Sequence, residues 1–218
     1  MKIKLSYELV KAISLIAIAT ALVGISLGSI AASFNLPLWI PLLLALTVLA
    51  GAAEFTFIGM IATGTSPIFA ALTGILINLR HLPFGLSVSS FLEKNSMRFI
   101  ATHIMNDESV MFGLSQKSPE LQKAAYWACG LAIGILWPIG VMIGFILGKN
   151  IPNIEALGID AAFPAILFAL ILPLLKNKTT RKRAILGAGF SLLSMPFLPT
   201  GLPVLMSLLA LLFWKTSI

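Results

Sequence analysis

Segment 68–92 places charged and polar residues inside an apolar run that is long enough to cross a membrane. About 20 residues of helix span ~30 Å of hydrocarbon, and this run is longer than that. Residues 78–81 in its middle read Asn-Leu-Arg-His, and they are followed by Pro83, which has no backbone N–H and interrupts a helix. A charge at the bilayer centre costs ~2.5–3.5 kcal/mol on insertion scales, so charged residues there usually serve a function. The segment therefore predicts a polar site at a helix break inside a transport protein.

The composition is that of an integral membrane protein. Hydrophobic residues make up 58% of the chain and charged residues 11%, against roughly 25% charged in soluble domains. The net charge of +7 comes from basic residues in short connections between apolar runs, which indicates topology signals and contacts with anionic lipid headgroups, not nucleic acid. The single cysteine, Cys129, excludes a disulfide framework and a cysteine metal site. We expect one transmembrane domain over residues 1–218.

The apolar runs predict an all-α, polytopic helical bundle of about six to seven spans, with interrupted or re-entrant helices. The runs cover residues 9–32, 38–62, 68–92, 124–147, 161–175 and 184–214. The first is too long for a signal-peptide core of ~7–15 residues, so we interpret it as the first span. Segment 99–114 is shorter and of mixed polarity. It fits an interfacial helix, a re-entrant half-helix or a poor span.

The basic residues constrain how the chain crosses the membrane. The densest basic cluster lies in segment 176–183, and further lysines lie near the amino terminus. Both regions are expected on the cytoplasmic side, so an even number of crossings must separate them. The five apolar runs between them do not satisfy this condition. Either segment 99–114 also crosses, or segment 68–92 is a re-entrant pair that never crosses.

Four polar residues of the second and third runs are candidates for substrate binding or for structure. Glu54, among small residues in the second run, can carry a proton, bind a substrate amine or pair with Arg80. Arg80 can bind a carboxylate through two hydrogen bonds, or extend to the membrane interface. His81 can couple transport to protons, since histidine changes charge near neutral pH, or can be structural. Asn78 can satisfy the backbone groups freed by Pro83.

Further polar residues follow later in the chain. His103 and Asp107 are four residues apart, with Glu108 beside them, so on one helix the first two would share a face. This spacing is compatible with a metal site, but no second histidine is near, and we expect no metal and no cofactor. A polar patch at a cavity mouth or an interfacial helix fits better. Asp160 reads as an acidic helix cap, with Pro164 in the first turn.

Four stretches of the chain resemble the AzlC family, the large subunit of two-component branched-chain amino acid exporters linked to azaleucine resistance. They are Ala-Gly-Ala-Ala-Glu-Phe at 50–55, Asn-Leu-Arg-His at 78–81 with Gly-Leu-Ser at 85–87, Asp-Glu-Ser at 107–109, and Gly-Ile-Asp-Ala-Ala-Phe-Pro-Ala at 158–165. The family patterns are Ala-Gly-x-x-Gln-Phe, Asn-Leu-Arg-His-x-x-Tyr-Gly-x-Ser-Leu, Thr-Asp-Glu-x-Phe and a Gly-Leu-Asp stretch that opens a late span. Glu54 stands where the family usually has glutamine, and Pro83 stands where leucine is common.

The resemblance implies a multi-pass permease of the cell inner membrane that exports hydrophobic amino acids such as leucine, isoleucine, valine or methionine. It also implies a small membrane partner resembling AzlD and no enzymatic activity. A zwitterionic substrate needs groups for its carboxylate and its amine, and an apolar pocket for its side chain. The expected substrate-binding residues are Glu54, Asn78, Arg80, His81, Asp107 and Glu108.

We expect export to be coupled to the proton motive force through Glu54 or His81. Two other functions stay open from the sequence. One is a structural or assembly subunit of a membrane complex. The other is a membrane-embedded enzyme built on His103, Asp107 and Glu108.

Overall fold

The computed structural model describes residues 5–92, 95–150, 168, 172, 174–198, 203 and 206–212, and within these residues every regular element is helical. The α-helices are α1 (Tyr7–Ser33), α2 (Trp39–Thr47), α3 (Gly51–Ala62), α4 (Pro67–Asn78), α5 (His81–Val88), α6 (Met97–His103), α7 (Asp107–Leu114), α8 (Pro119–Lys149) and α9 (Lys178–Ser194). Short 3-10 turns cover Leu174–Lys176 and Ser207–Leu211. The all-α fold expected from the sequence is confirmed for this part of the chain.

Three stretches of the described chain are long and apolar enough to cross a membrane. They are α1, the α4–α5 pair taken together as Pro67–Val88, and α8. They correspond to the first, third and fourth apolar runs of the sequence. Asp160 and the stretch 158–165 lie outside the described residues, as does most of the run 161–175.

The second apolar run does not form the continuous span that the sequence predicts. Residues 38–62 divide into α2 and α3, which meet at a break over residues 48–50. Segment 99–114 is divided in the same way, with a break over residues 104–106 between α6 and α7. Together with the turn at residues 79–80 between α4 and α5, the described chain contains three helix breaks.

Helix α8 packs most extensively against α1 and also contacts α7 and α2. The shared core includes Leu27 and Ile30 of α1, Phe55 of α3, and Val141 and Phe145 of α8, all of which are buried. A second buried cluster joins α5, α6 and α7 to Tyr126 of α8. Helix α8 thus contacts α2, next to the break at residues 48–50, and α7, next to the break at residues 104–106.

Glycines allow α1 and α8 to approach at backbone distance. They recur every fourth residue on both helices, at Gly24 and Gly28 and at Gly140, Gly144 and Gly148. A Cβ atom on Gly24 would lie 2.9 Å from the carbonyl oxygen of Trp137, and one on Gly144 would collide with the carbonyl oxygen of Ile25. Small residues at this spacing are a common means of helix association in lipid, where no hydrophobic effect drives the helices together.

One polar contact reinforces this interface. The hydroxyl of Ser29 on α1 donates a hydrogen bond to the carbonyl oxygen of Gly144 at 2.9 Å. Interhelical hydrogen bonds of this kind help to hold membrane helices together because the surrounding hydrocarbon offers no other partner. The α1–α8 pair is therefore fixed both by shape and by a directional contact.

We predict that Gly144→Ala destabilises the protein, because the new methyl group collides with the backbone of α1 and forces the helices apart. Overpacking of this kind costs about 1–3 kcal/mol. The matched control is Gly134→Ala on the same helix, where a Cβ atom would meet Leu49 Cδ2 at 3.7 Å and Ile104 Cγ2 at 3.9 Å, both ordinary contacts. Thermal unfolding in detergent should show a lower melting temperature for Gly144→Ala only. Equal melting temperatures for the two variants would contradict the prediction.

Candidate functional site

The first helix break, between α2 and α3, lies where the sequence has no proline. Leu49 has φ +49°, in the left-handed region, although its side chain is buried in the core. This conformation costs a residue other than glycine roughly 1–2 kcal/mol, so surrounding contacts must enforce it. Ala50, with φ −139° and ψ 81°, completes the break before α3 begins.

Glu54 supplies the contacts that stabilise the first break. Its side chain is fully buried. Its Oε1 atom accepts a hydrogen bond from the backbone N–H of Ala50 at 2.8 Å, and its Oε2 atom accepts one from the indole N–H of Trp137 on α8 at 3.1 Å. An amide at a helix start has no partner within the helix, and hydrocarbon provides none. Glu54 therefore ties the broken backbone to α8.

The second break, between α4 and α5, follows from Pro83. Because Pro83 has no N–H, the carbonyl oxygen of Leu79 has no donor four residues later in the chain. It accepts instead from the N–H of Leu82 at 3.1 Å. The carbonyl of Asn78 is thereby released, and the Nδ1 atom of His81 lies 3.0 Å from it. A carbonyl only accepts, so Nδ1 carries the proton and Nε2 remains for other partners. The ring of His81, and not the side chain of Asn78, satisfies the freed backbone group.

The third break, between α6 and α7, is closed by a reciprocal cap. Asn106 Oδ1 accepts from the Ser109 N–H at 2.8 Å, and Ser109 Oγ accepts from the Asn106 N–H at 3.0 Å. This break separates His103, which ends α6, from Asp107, which begins α7. The expectation that these two residues share one helix face is therefore wrong. Across the described residues, no three metal-ligating side chains lie together.

All three breaks contribute to one polar cavity of about 400 Å³. Its lining consists of Thr47 and Val48 from the first break, Asn78 and His81 from the second, Thr102, His103 and Met105 around the third, and Phe99. Irregular backbone occurs at membrane depth where it lines a cavity or is buried in protein. Hydroxyl, amide and imidazole groups from distant parts of the chain thus face one space.

A second, almost wholly apolar cavity of about 210 Å³ lies next to the first. Its lining residues are Leu44, Val48, Ala53, Glu54, Phe57, Ala71, Gly74, Ile75 and Asn78. Val48 and Asn78 line both cavities. The Oδ1 atom of Asn78 is buried and has no hydrogen-bond partner among the described residues. An unused acceptor therefore lies at the boundary between a polar and an apolar space.

The charged residues predicted for the site form a pair beside these cavities. Arg80 Nη2 lies 3.0 Å from Asp107 Oδ2, and the two side chains are 31% and 49% exposed. Glu108 is near enough to interact electrostatically with Arg80. The pair joins the second break to the start of α7. None of these three residues belongs to the lining of either cavity.

Of the six residues expected to bind substrate, Asn78 and His81 line the polar cavity, and Glu54 and Asn78 line the apolar one. Sequence reasoning did not single out Thr47, Thr102 or Met105. Both threonine hydroxyls donate to carbonyls of their own helices, Thr47 to Leu43 at 2.7 Å. A threonine at a helix end carries no recognisable signal, because the same residue occurs on many lipid-facing helices.

We predict that Glu54→Leu is less stable than Glu54→Gln. Leucine leaves the buried N–H groups of Ala50 and Trp137 without an acceptor, and each such loss costs about 1–3 kcal/mol. Glutamine keeps one oxygen that can accept from either group. Melting temperatures in detergent should rank Glu54→Leu lowest, and adding Trp137→Phe to Glu54→Leu should restore part of the loss. Equal melting temperatures for the leucine and glutamine variants would exclude this role of Glu54.

Comparison with known proteins gives one family match. The family model described as AzlC protein matches residues 15–151, a segment that contains all three breaks and every residue that lines the two cavities. An uncharacterized membrane protein of Haemophilus influenzae is 24% identical over 78% of this chain and 70% of its own length. One from Helicobacter pylori is 21% identical over 90% of this chain and 89% of its own length. No solved structure matches. The chain is a membrane protein that belongs to the AzlC family.

Proposed function

We propose that this chain is the transporting subunit of an exporter for branched-chain and other hydrophobic amino acids. The observation that carries the proposal is the meeting of three helix breaks around a polar cavity with an apolar cavity directly beside it. Transporters commonly bind substrates at broken helices near the bilayer midplane. A hydrophobic amino acid has a charged end and an apolar end, which is the chemistry that two such adjacent spaces suit.

The polar cavity suits the charged end of the substrate. No carboxylate is among its described lining residues, so an incoming carboxylate meets no like charge there. In this proposal, the free Oδ1 of Asn78 and the Nε2 atom of His81, whose proton is on Nδ1, accept from the substrate ammonium group. The Nδ1 contact with the Asn78 carbonyl holds the imidazole in position for this role.

The Arg80–Asp107 pair serves as the carboxylate site at the edge of the cavity. Arginine can bind a carboxylate through two parallel hydrogen bonds, whereas Asp107 contacts Arg80 through a single pair of atoms 3.0 Å apart. A substrate carboxylate can replace Asp107 on Arg80, and the displaced Asp107 together with Glu108 can then accept from the substrate ammonium group. The exchange would release the second break from the start of α7 as the substrate passes.

The complete transporter in this proposal is a multi-pass protein of the inner membrane with about six to seven spans, some of them interrupted or re-entrant. It works with a small AzlD-like membrane subunit. The partial exposure of Arg80 and Asp107 supports a partner, because charges at membrane depth face protein or water and not lipid. We assign the covering of this pair to the small subunit.

The test is efflux of labelled leucine, valine and methionine from preloaded proteoliposomes, with and without the small subunit. We expect partner-dependent efflux that falls at least tenfold in Arg80→Ala and His81→Asn. Arg181→Ala on α9 is the matched control, since Arg181 is exposed and lies apart from both cavities. Efflux of none of the three amino acids would refute the proposal, and full efflux by both site variants would move the transport path elsewhere.

We also expect a proton gradient to drive this efflux through His81. Acid outside the vesicles should accelerate efflux by the wild type, because a proton that binds Nε2 from outside displaces the substrate ammonium group and is exchanged for the substrate. The stimulation should disappear in His81→Asn and remain in Arg181→Ala. Equal stimulation in wild type and His81→Asn would exclude His81 as the coupling group.

A further inference from the structure

Gly74 stands in the middle of α4 without a packing reason. A Cβ atom there would lie 3.9 Å from Ala53 Cβ and 4.0 Å from the Ala53 carbonyl oxygen, which are ordinary van der Waals distances. The glycines between α1 and α8 differ, because a methyl group there meets backbone. Glycine inside a helix is unfavourable relative to alanine. What distinguishes Gly74 is that it lines the apolar cavity, where a missing side chain leaves room.

The surface of this cavity is almost wholly apolar. Glu54 directs both of its carboxyl oxygens at Ala50 and Trp137, from which they accept hydrogen bonds. The other lining residues apart from Asn78 are aliphatic, aromatic or glycine. A substrate hydroxyl or amide placed there would lose its hydration without a replacement, whereas a hydrocarbon group would not. The cavity thus selects apolar side chains.

The size of the cavity sets a limit on those side chains. An apolar cavity of ~150 Å³ can hold benzene, which has six non-hydrogen atoms, so one of about 210 Å³ holds roughly eight. The four non-hydrogen atoms of a leucine or methionine side chain fit with room to spare, and the seven of phenylalanine come close to the limit. Phe57 from α3 and Gly74 from α4 lie in this lining, one large and one without a side chain.

We propose that the apolar cavity between α3 and α4 is the subsite that measures the substrate side chain, with Gly74 and Phe57 as the residues that set its size. This inference rests on the proposed function, since it assigns the apolar end of the amino acid whose charged end lies at Asn78 and His81. Filling the cavity from Gly74 should penalise large substrates, and trimming Phe57 should admit larger ones.

The experiment compares alanine, valine, leucine, methionine, phenylalanine and asparagine as substrates of the complex with the small subunit. Efflux is measured from proteoliposomes, and binding is measured as the shift in melting temperature of the purified complex. Gly74→Val should lower the efflux of leucine relative to the efflux of alanine by about tenfold or more, the usual effect of one or two methylene groups in an apolar pocket. Phe57→Leu should raise the efflux of phenylalanine relative to the efflux of leucine. Asparagine, nearly the size of leucine, should be rejected by all variants.

The control is Gly189→Ala on α9, where a Cβ atom meets nothing within 4 Å. Ratios between substrates are compared within each variant, so a general loss of folded protein does not affect them. Transport with an unchanged substrate ranking in both Gly74→Val and Phe57→Leu would overturn the subsite and leave the proposed function standing. If the wild-type complex neither binds nor moves any of these amino acids, both proposals are overturned.

Discussion

The close packing of α1 against α8 is the contact on which the rest of the structure depends. The glycines of both helices lie at their contact and allow α8 to pack closely against α1. Trp137 on α8 donates a hydrogen bond to Glu54 at the first break. The hydroxyl of Tyr126, also on α8, donates to the Ala101 carbonyl of α6, close to the third break, at 2.6 Å. Two irregular segments therefore take their positions from one continuous helix.

Each break also shows how backbone groups freed by an interrupted helix find partners within the chain. Side chains serve as the missing partners: a carboxylate at the first break, an imidazole at the second, and a reciprocal Asn–Ser cap at the third. Of these groups, the imidazole of His81 also lines the polar cavity, and Glu54 lines the apolar one. His81 thus combines a structural contact with a place in the cavity, whereas Asn78 lines both cavities with a side-chain oxygen that no structural contact among the described residues uses.

The sequence was most informative where the signal was local. Pro83 beside Arg80 and His81 indicated the interruption in segment 78–83, and the apolar runs indicated an all-α membrane fold. The first break was missed because nothing in the residues 48–50 opposes a helix, and the contact that enforces it comes from Trp137, 83 residues from Glu54. The third break did have a local signal, the Asn106–Ser109 cap, but the pairing of His103 with Asp107 assumed an unbroken helix.

That long separation between Glu54 and Trp137 has a consequence for biosynthesis. At ~5–20 residues per second, roughly 4 to 17 s pass between the synthesis of the two residues. During this interval the α3 segment has been made, but the indole that will hold its carboxylate does not yet exist. The hydrogen bond between Trp137 and Glu54 can therefore form only after α8 has been synthesised. The first break is thus completed late, well after its own residues have been added to the chain.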